Sequence, residues 1–447
     1  MINKEIYELA KKCLMAIKAP AGFGIYASTG HNYQYAIFGR DSLEVGQDIL
    51  FSNGELVREI LIFLARLQGM GSNNLNEEEL GKIHHEYRFT KMGDTIVSDE
   101  SKKIIKRLST IWGGEDGKFC YFGSIDSTPL FVRLAGLYVM EYGAEILNEQ
   151  ITDIHGNNNT FINHVRLAAE WVKDKVESSP WSLLEFKRAN PKGLPYQAWK
   201  DSNTGYLHLD GVPANFSNGI ASIEVQGYAY DALVTTSKLF AKSADESKQY
   251  RDLASKLQKN TLELLWMKDE KFFAIGLDRD DVGTTRQIKT LTSNAAAVLD
   301  SELLINLPNE DRMGYVEPIM TKIMGKDFLT DVGIRTRSLK HQDLCDYADY
   351  HGCLVSWPKE TYNIARGLRR HGYVDQATDL ENRLLSAVKL SKEFYEFYYV
   401  DASGYILYDY KNIDLEKFRL HGKLNIPESC QAWTVSAIIG ILFSRQY

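Results

Sequence analysis

The chain has 447 residues, 44% of them apolar and 25% charged, with a formal net charge of −7, the profile of a globular protein able to bury a large core. No Lys/Arg run alternates with aromatics, which argues against a nucleic-acid groove. No apolar run reaches the roughly 18 residues of a membrane-spanning helix.

The first segment places Ile2, Ile6, Leu9, Ala10, Cys13 and Ile17 at helical spacing, so a helix is expected up to Pro20 and Gly22. Lys4, Glu5, Glu8, Lys11 and Lys12 are mixed through it, unlike a signal peptide, and a cytoplasmic chain is expected. Leu56, Ile60, Phe63, Leu64 and Leu67 repeat the pattern, ending near Gln68-Gly69-Met70-Gly71. Further helices are predicted over 129–141, 161–176, 222–240, 250–266, 311–324, 357–370, 374–389 and 431–443. Strands are few, the best being 272–276 and 404–408, each bounded by turn residues. Residues 91–117 carry scattered charges around Ile104-Ile105 and read as an excursion or lid, or as a tolerated surface insertion. No Pro/Ser/Gly-rich linker interrupts the chain, so residues 1–447 are expected to form a single all-α domain. Cys13, Cys120, Cys345, Cys353 and Cys430 show no C-x-x-C pair, which suggests neither a disulfide frame nor a zinc knuckle and predicts reduced thiols in or near the core.

The chemistry centres on Gln197-Ala198-Trp199-Lys200-Asp201-Ser202, ahead of the loop Asn203-Thr204-Gly205. Cleaving an acetal C–O bond near neutral pH needs a carboxylic acid that keeps its proton until used. An ordinary Asp, with a pKa of about 3.9, needs an apolar wall such as Trp199 or a second carboxylate to hold that proton. Lys200 opposes the shift unless it points elsewhere or holds substrate. The alternative for Asp201 is a helix cap.

Other stretches combine the charged forks and aromatic faces that grip sugar hydroxyls and C–H surfaces. Arg40 and Asp41 follow Phe38-Gly39, with a helix-cap alternative for Asp41. In Lys82-Ile83-His84-His85-Glu86 no H-E-x-x-H motif or matching third ligand is present, so His85 reads as part of a polar wall and no metal is expected. Tyr121-Phe122-Gly123-Ser124 leads to Asp126, Ser127 and Pro129, with Asp126 or Ser127 as the expected helix cap. Glu224 begins a helix and either faces substrate or favours the helix N-terminus.

These stretches, in this order, resemble the amylo-1,6-glucosidase part of glycogen debranching enzymes and, more distantly, glucoamylases. The resemblance runs along nearly the whole chain. It is carried by Phe38-Gly39-Arg40-Asp41-Ser42, Gly81-Lys82-Ile83 with His85-Glu86, Tyr121-Phe122-Gly123-Ser124 with Asp126, Trp199-Lys200-Asp201-Ser202 and Glu224-Val225-Gln226-Gly227-Tyr228. It continues in Thr290-Leu291-Thr292-Ser293-Asn294, Gly333-Ile334-Arg335-Thr336, Ser356-Trp357-Pro358 and Gln431-Ala432-Trp433. The resemblance implies an (α/α)6 toroid with short hairpins at the rim, and hydrolysis with inversion and no cofactor.

It assigns the general acid to Asp201 and the base to Glu396, with Glu393 the fallback in Lys392-Glu393-Phe394-Tyr395-Glu396-Phe397, where relatives show Leu-Pro-Glu-Leu. Arg40 and Asp41 match a sugar-gripping pair. Arg335 falls in one of the matching motifs, and His85, Tyr121, Asp126, Trp199, Lys200, Glu224, Arg335 and Trp357 are the remaining substrate-binding candidates. Trp199, Trp357 and Trp433 are candidates for stacking or for core packing, the latter above all for Trp433.

Relatives carry His-Asp or a similar pair where this chain has Lys359-Glu360, which points to a different subsite. Arg40 also falls too early for the N-terminal β-rich domain of larger relatives, which favours a short α-glucoside or oligosaccharide over a polymer. Two alternatives keep the fold. One is epimerase or lyase chemistry using His84, His85, His351 or Tyr350, and the other is sugar binding without catalysis.

Overall fold

The computed structural model describes residues 2–30, 33, 35–92, 95–115, 117–345, 349–407 and 425–445. The chain divides by contacts into two units, Met1–Trp199 with Asp231–Leu257 and Cys430–Tyr447, and Lys200–Tyr230 with Gln258–Ser429.

In the first unit the helix Ile2–Ile17 packs on Ala432–Ser444, which also lies against Gly39–Asp48. Ser127–Tyr142 packs on Gly39–Asp48, Gly54–Arg66 and Phe161–Ser178, and is buried around most of its circumference. That placement explains its weak polar face, because a helix surrounded by others needs no solvated stripe. Two glycines permit the close approach: a Cβ on Gly46 would lie 2.7 Å from Leu134, and one on Gly136 would lie 2.2 Å from Thr235. The buried Ser436 hydroxyl donates to Asp48 at 2.8 Å, tying the C-terminal helix to Gly39–Asp48.

Within residues 91–117, where the charges suggest an excursion or lid, the described residues include regular structure. Asp99–Trp112 is a 14-residue helix, capped by the Ser98 hydroxyl accepting from Ser101 N and ended by Gly113 at φ 75°. Its inner face buries Ile105 and Trp112, and the Trp112 indole stacks on Tyr121 with centroids 4.0 Å apart.

In the second unit Pro358–Arg370 packs on Val374–Ser391 and on the turn Val298–Asp300. Arg366 donates to the Asp300 carboxylate at 2.9 Å and Arg370 to the Asp300 carbonyl at 2.5 Å. The expected strand over 272–276 is broken: Phe272–Phe273 pairs with Trp266–Met267, while Gly276–Arg279 joins Thr285–Ile288 and Ala221–Ser222 in a three-stranded sheet. Ile406–Leu407 pairs with Tyr398–Val400, which pairs with Val355–Ser356. Tyr408, the end of the other expected strand, lies outside the described residues.

Candidate active site

In the first unit, a three-stranded antiparallel sheet gathers motifs that are far apart in sequence. Phe38 pairs with Glu86, and Glu86 with Tyr121. The residues leaving or entering these strands are therefore neighbours: Gly39-Arg40, His85, and the loop from Phe122 to Asp126. Gly39 is needed at the crossing, since a Cβ there would sit 2.2 Å from the His84 carbonyl oxygen. Arg40 donates to Asp126 Oδ2 at 2.8 Å, with the two side chains 7% and 0% exposed. Asp126 makes no capping bond to its helix; its other oxygen instead accepts from the Ser124 hydroxyl at 2.6 Å. His85 packs edge-on against Phe38 and Tyr121. Burial first, then the Arg40 guanidinium, pushes its pKa well below the ordinary histidine value, so it stands as a neutral imidazole.

Asp41 lies buried in the first turn of Gly39–Asp48, and Trp199 is also buried. Tyr121 is fully buried. Its hydroxyl donates to Glu77 at 3.1 Å and accepts from Leu194 N at 2.8 Å, so we read it as a support beneath the cluster rather than the substrate contact implied by the resemblance.

In the second unit, the pairing of Ser356 with Tyr398 places Trp357, just after one strand, beside Phe397, just before the other. Trp357 and Phe397 have ring centroids 5.1 Å apart. The Trp357 indole N–H donates to the Tyr350 carbonyl at 2.8 Å, and its ring stacks on His351. Tyr350 stacks on Phe397 at 6.1 Å. This aromatic wall presents the Tyr350 hydroxyl to Asp201, whose Oδ1 accepts from it at 3.3 Å. His351 Nε2 lies 4.0 Å from the same oxygen, while its Nδ1 is 2.8 Å from the Ser202 hydroxyl. Thr204 donates to Asp349 at 2.6 Å, and Asp349 accepts from the buried Arg337 guanidinium at 3.0 Å. The Asp201 loop and the 349–351 segment are thus joined by a chain of polar contacts. They border a cavity of about 510 Å³, lined in part by Ser202, Thr204, Asp349 and Tyr350.

Burial raises the Tyr350 pKa, and the charges of Asp201 and then Glu396 raise it further. Both carboxylates therefore act on one phenol, which stays protonated and able to donate. Glu396 is 8% exposed and is placed by the 425–429 segment: its N–H donates to the Glu428 carbonyl at 2.9 Å, and Glu428 N donates to Glu396 Oε2 at 3.4 Å. Glu393 accepts from the adjacent Phe394 N–H, an interaction within its own turn.

Lys200 points away from the cavity chemistry, donating to the Thr336 carbonyl at 3.0 Å from a fully buried position. Burial and then the Arg337 guanidinium push its pKa down to about 7. Glu224 is also buried, and burial pushes its carboxyl up to about 7. The Arg335 guanidinium donates to the carbonyls of Cys353, Asp401 and Ala402 at 2.7–3.0 Å. It is fully buried, and we read it as a structural clamp instead of the sugar ligand expected from its motif. Tyr350 and His351 entered the sequence reading only as proton carriers for another chemistry, while Asp349 and Glu428 carried no motif signal. Among the described residues, no three His, Cys, Asp or Glu side chains are grouped to hold a metal ion, and no helix is long and apolar enough to cross a membrane.

Comparison with solved structures gives matches over nearly the whole chain. A GH63 mannosylglycerate hydrolase from Thermus thermophilus in complex with glucose matches with a TM-score of 0.64 and 13% identity, covering 98% of this chain and 100% of that one. The same enzyme in complex with Tris gives 0.62 and 12% over the same shares. A wild-type glycosidase gives 0.58 and 9%, over 98% of this chain and 96% of that one. No curated protein matches by sequence. The fold is thus the mostly helical (α/α)6 type of GH63 glycosidases, the fold class expected from the sequence. A model of the mannosylglycerate hydrolase MGH1-like glycoside hydrolase domain matches residues 168–407, more than half of the chain. The protein belongs to this family of glycoside hydrolases.

Proposed function

We propose that the protein is an inverting glycosidase in which Asp201 is the general acid and Glu396 the general base, releasing glucose from an α-glucosidic bond of a short substrate. The observation that carries this reading is the Tyr350 phenol, hydrogen-bonded to Asp201 and under the charge of Glu396. Tyr350 donates to Asp201 Oδ1, and the Asp201 carboxyl carries the proton delivered to the leaving oxygen. Glu396 takes a proton from water attacking the opposite face of the sugar. Inversion requires the two carboxyl groups to stand roughly 6.5–9.5 Å apart, with room for that water. The aromatic wall of Tyr350, Trp357 and Phe397 supplies the apolar surface for C–H faces. A hydroxyl-binding role for Arg40, Asp41 and His85 is proposed from the resemblance alone.

The α-1,6-glucosyl preference comes from the resemblance to debranching enzymes. A glycoside of glyceric acid is the second reading, favoured by the matching structure whose enzyme is a mannosylglycerate hydrolase and which holds glucose. Release of monosaccharide is assayed on isomaltose, maltose, a branched oligosaccharide, glucosylglycerate and mannosylglycerate, with proton NMR following the anomer first formed. Retention of configuration, or undiminished activity in both Asp201→Asn and Glu396→Gln, refutes the assignment.

A further inference from the structure

Two thiols that the proposed hydrolysis does not use stand beside its aromatic wall. Cys345 borders the same cavity as Ser202, Asp349 and Tyr350. Its sulfur accepts from the main-chain N–H of Cys353 at 3.2 Å and from the Arg337 guanidinium at 3.5 Å. In its protonated form the Cys345 thiol instead donates to the His341 carbonyl at 3.4 Å. Cys353 is fully buried, and its carbonyl is held by Arg335. The interaction of the two thiols, followed by the Arg337 charge, lowers Cys345 to about 7, while the same interaction first and burial second raise Cys353. Cys353 therefore holds its proton more tightly than Cys345, the partner that borders the cavity. A thiolate backed by a guanidinium and a main-chain N–H, with a second thiol against it, is the arrangement that thiol–disulfide exchange requires.

We propose that Cys345 and Cys353 form a thiol–disulfide modification site whose substrate is a small dialkyl disulfide entering the cavity. The Cys345 thiolate attacks one sulfur of that disulfide, forming a mixed disulfide and expelling one thiolate. Cys353 then loses its proton to solvent and attacks Cys345 Sγ, expelling the second thiolate. Two protein thiols are oxidised to one cystine, and one small disulfide is reduced to two thiols. The new bond closes the segment that bears Asp349, Tyr350 and His351. It removes the Cys345 thiolate from Arg337, which keeps Asp349. Because Tyr350 and His351 contact Asp201, the cross-link changes the site on which the proposed hydrolysis rests.

The experiment exposes the full chain to 2-hydroxyethyl disulfide and digests it with trypsin after blocking free thiols. Both cysteines lie in one tryptic peptide, His341–Lys359, so the cross-link reads as the loss of two hydrogens from that peptide. The expected result is loss of two of the five free thiols, confined to this peptide and reversed by dithiothreitol. A stable hydroxyethyl adduct on Cys345, or an unmodified peptide while other cysteines react, overturns the proposal. Cys345→Ser is expected to leave Cys353 unmodified. If that variant does not fold, the wild-type peptide mass decides alone. Where hydrolysis is measured, oxidation is expected to lower it at least tenfold and dithiothreitol to restore it. Cross-linking without any hydrolase activity leaves this site standing and removes only the glycosidase mechanism.

Discussion

The replacement of Tyr350 by Phe isolates the contact on which the acid assignment rests. Phenylalanine keeps the ring against Phe397, Trp357 and His351 and deletes only the hydroxyl that donates to Asp201 Oδ1 at 3.3 Å. A hydrogen bond to a charged acceptor contributes about 1.5–3 kcal/mol. This one is long, and the Asp201 side chain is 38% exposed, so water replaces part of what is lost. A third to a half of the full value, about 0.5–1.5 kcal/mol, corresponds to about 0.4–1.1 pKa units at 1.36 kcal/mol per unit.

The sign follows from which form the bond favours. Tyr350 stabilises the carboxylate, so its removal raises the Asp201 pKa and moves the alkaline limb of kcat/KM, where the acid loses its proton, to higher pH. Initial rates on the best glycoside, measured across pH 4–9 for both proteins, report that limb. An unmoved limb, or one displaced to lower pH, refutes either the contact or the identification of Asp201 as the titrating acid.

Asp201→Asn and Glu396→Gln remove proton transfer at nearly constant shape and are expected to lower kcat by about 10²–10⁴-fold, with thermal unfolding midpoints close to wild type. Arg40→Met leaves Asp126 charged and buried and is expected to cost about 3–5 kcal/mol in urea unfolding, softened by the Ser124 bond that Asp126 keeps. Glu224→Gln tests the raised carboxyl. The native group holds its proton up to about 7, whereas the unfolded one loses it near its ordinary 4.5, so the native state binds more protons and stability falls as pH rises through that window. The variant is therefore expected to be more stable than wild type at pH 8, with the advantage vanishing towards pH 4, as read by thermal melts at each pH.

The helices were legible because most bury one stripe, and a stripe leaves a period of three and four in the sequence. Asp99–Trp112 carries the same kind of stripe in Ile104, Ile105, Leu108, Ile111 and Trp112, and the charges of Lys102, Lys103, Lys106 and Arg107 among them masked it in a reading by composition. The Ser98 cap and Gly113 stop are ordinary boundary signals as well. The proposed site rests on residues that form short motifs in the sequence, as at Arg40-Asp41 or Asp201. What joins them is not written locally. Phe397 meets Trp357 and Tyr350 through a two-residue strand, Val355–Ser356, pairing with Tyr398–Val400, and a pairing so short leaves no alternation to detect.

The same limit explains how Arg335 and Tyr121 were read. Both residue types bind sugars, and both lie in motifs of the right kind, so composition alone favours contact with substrate. Their role depends on where the polar atoms are satisfied. Three carbonyls claim the Arg335 guanidinium, and Glu77 with Leu194 N claims the Tyr121 hydroxyl. A buried polar group committed in this way loses about 1–3 kcal/mol if its partner is withdrawn, so it does not exchange that partner for a sugar hydroxyl. Asp201 is 38% exposed, in a loop whose next residue, Ser202, lines a cavity. Where a sequence motif offers several sugar-binding residue types, exposure separates a group that solvent reaches, such as Asp201, from fully enclosed ones such as Arg335 and Tyr121.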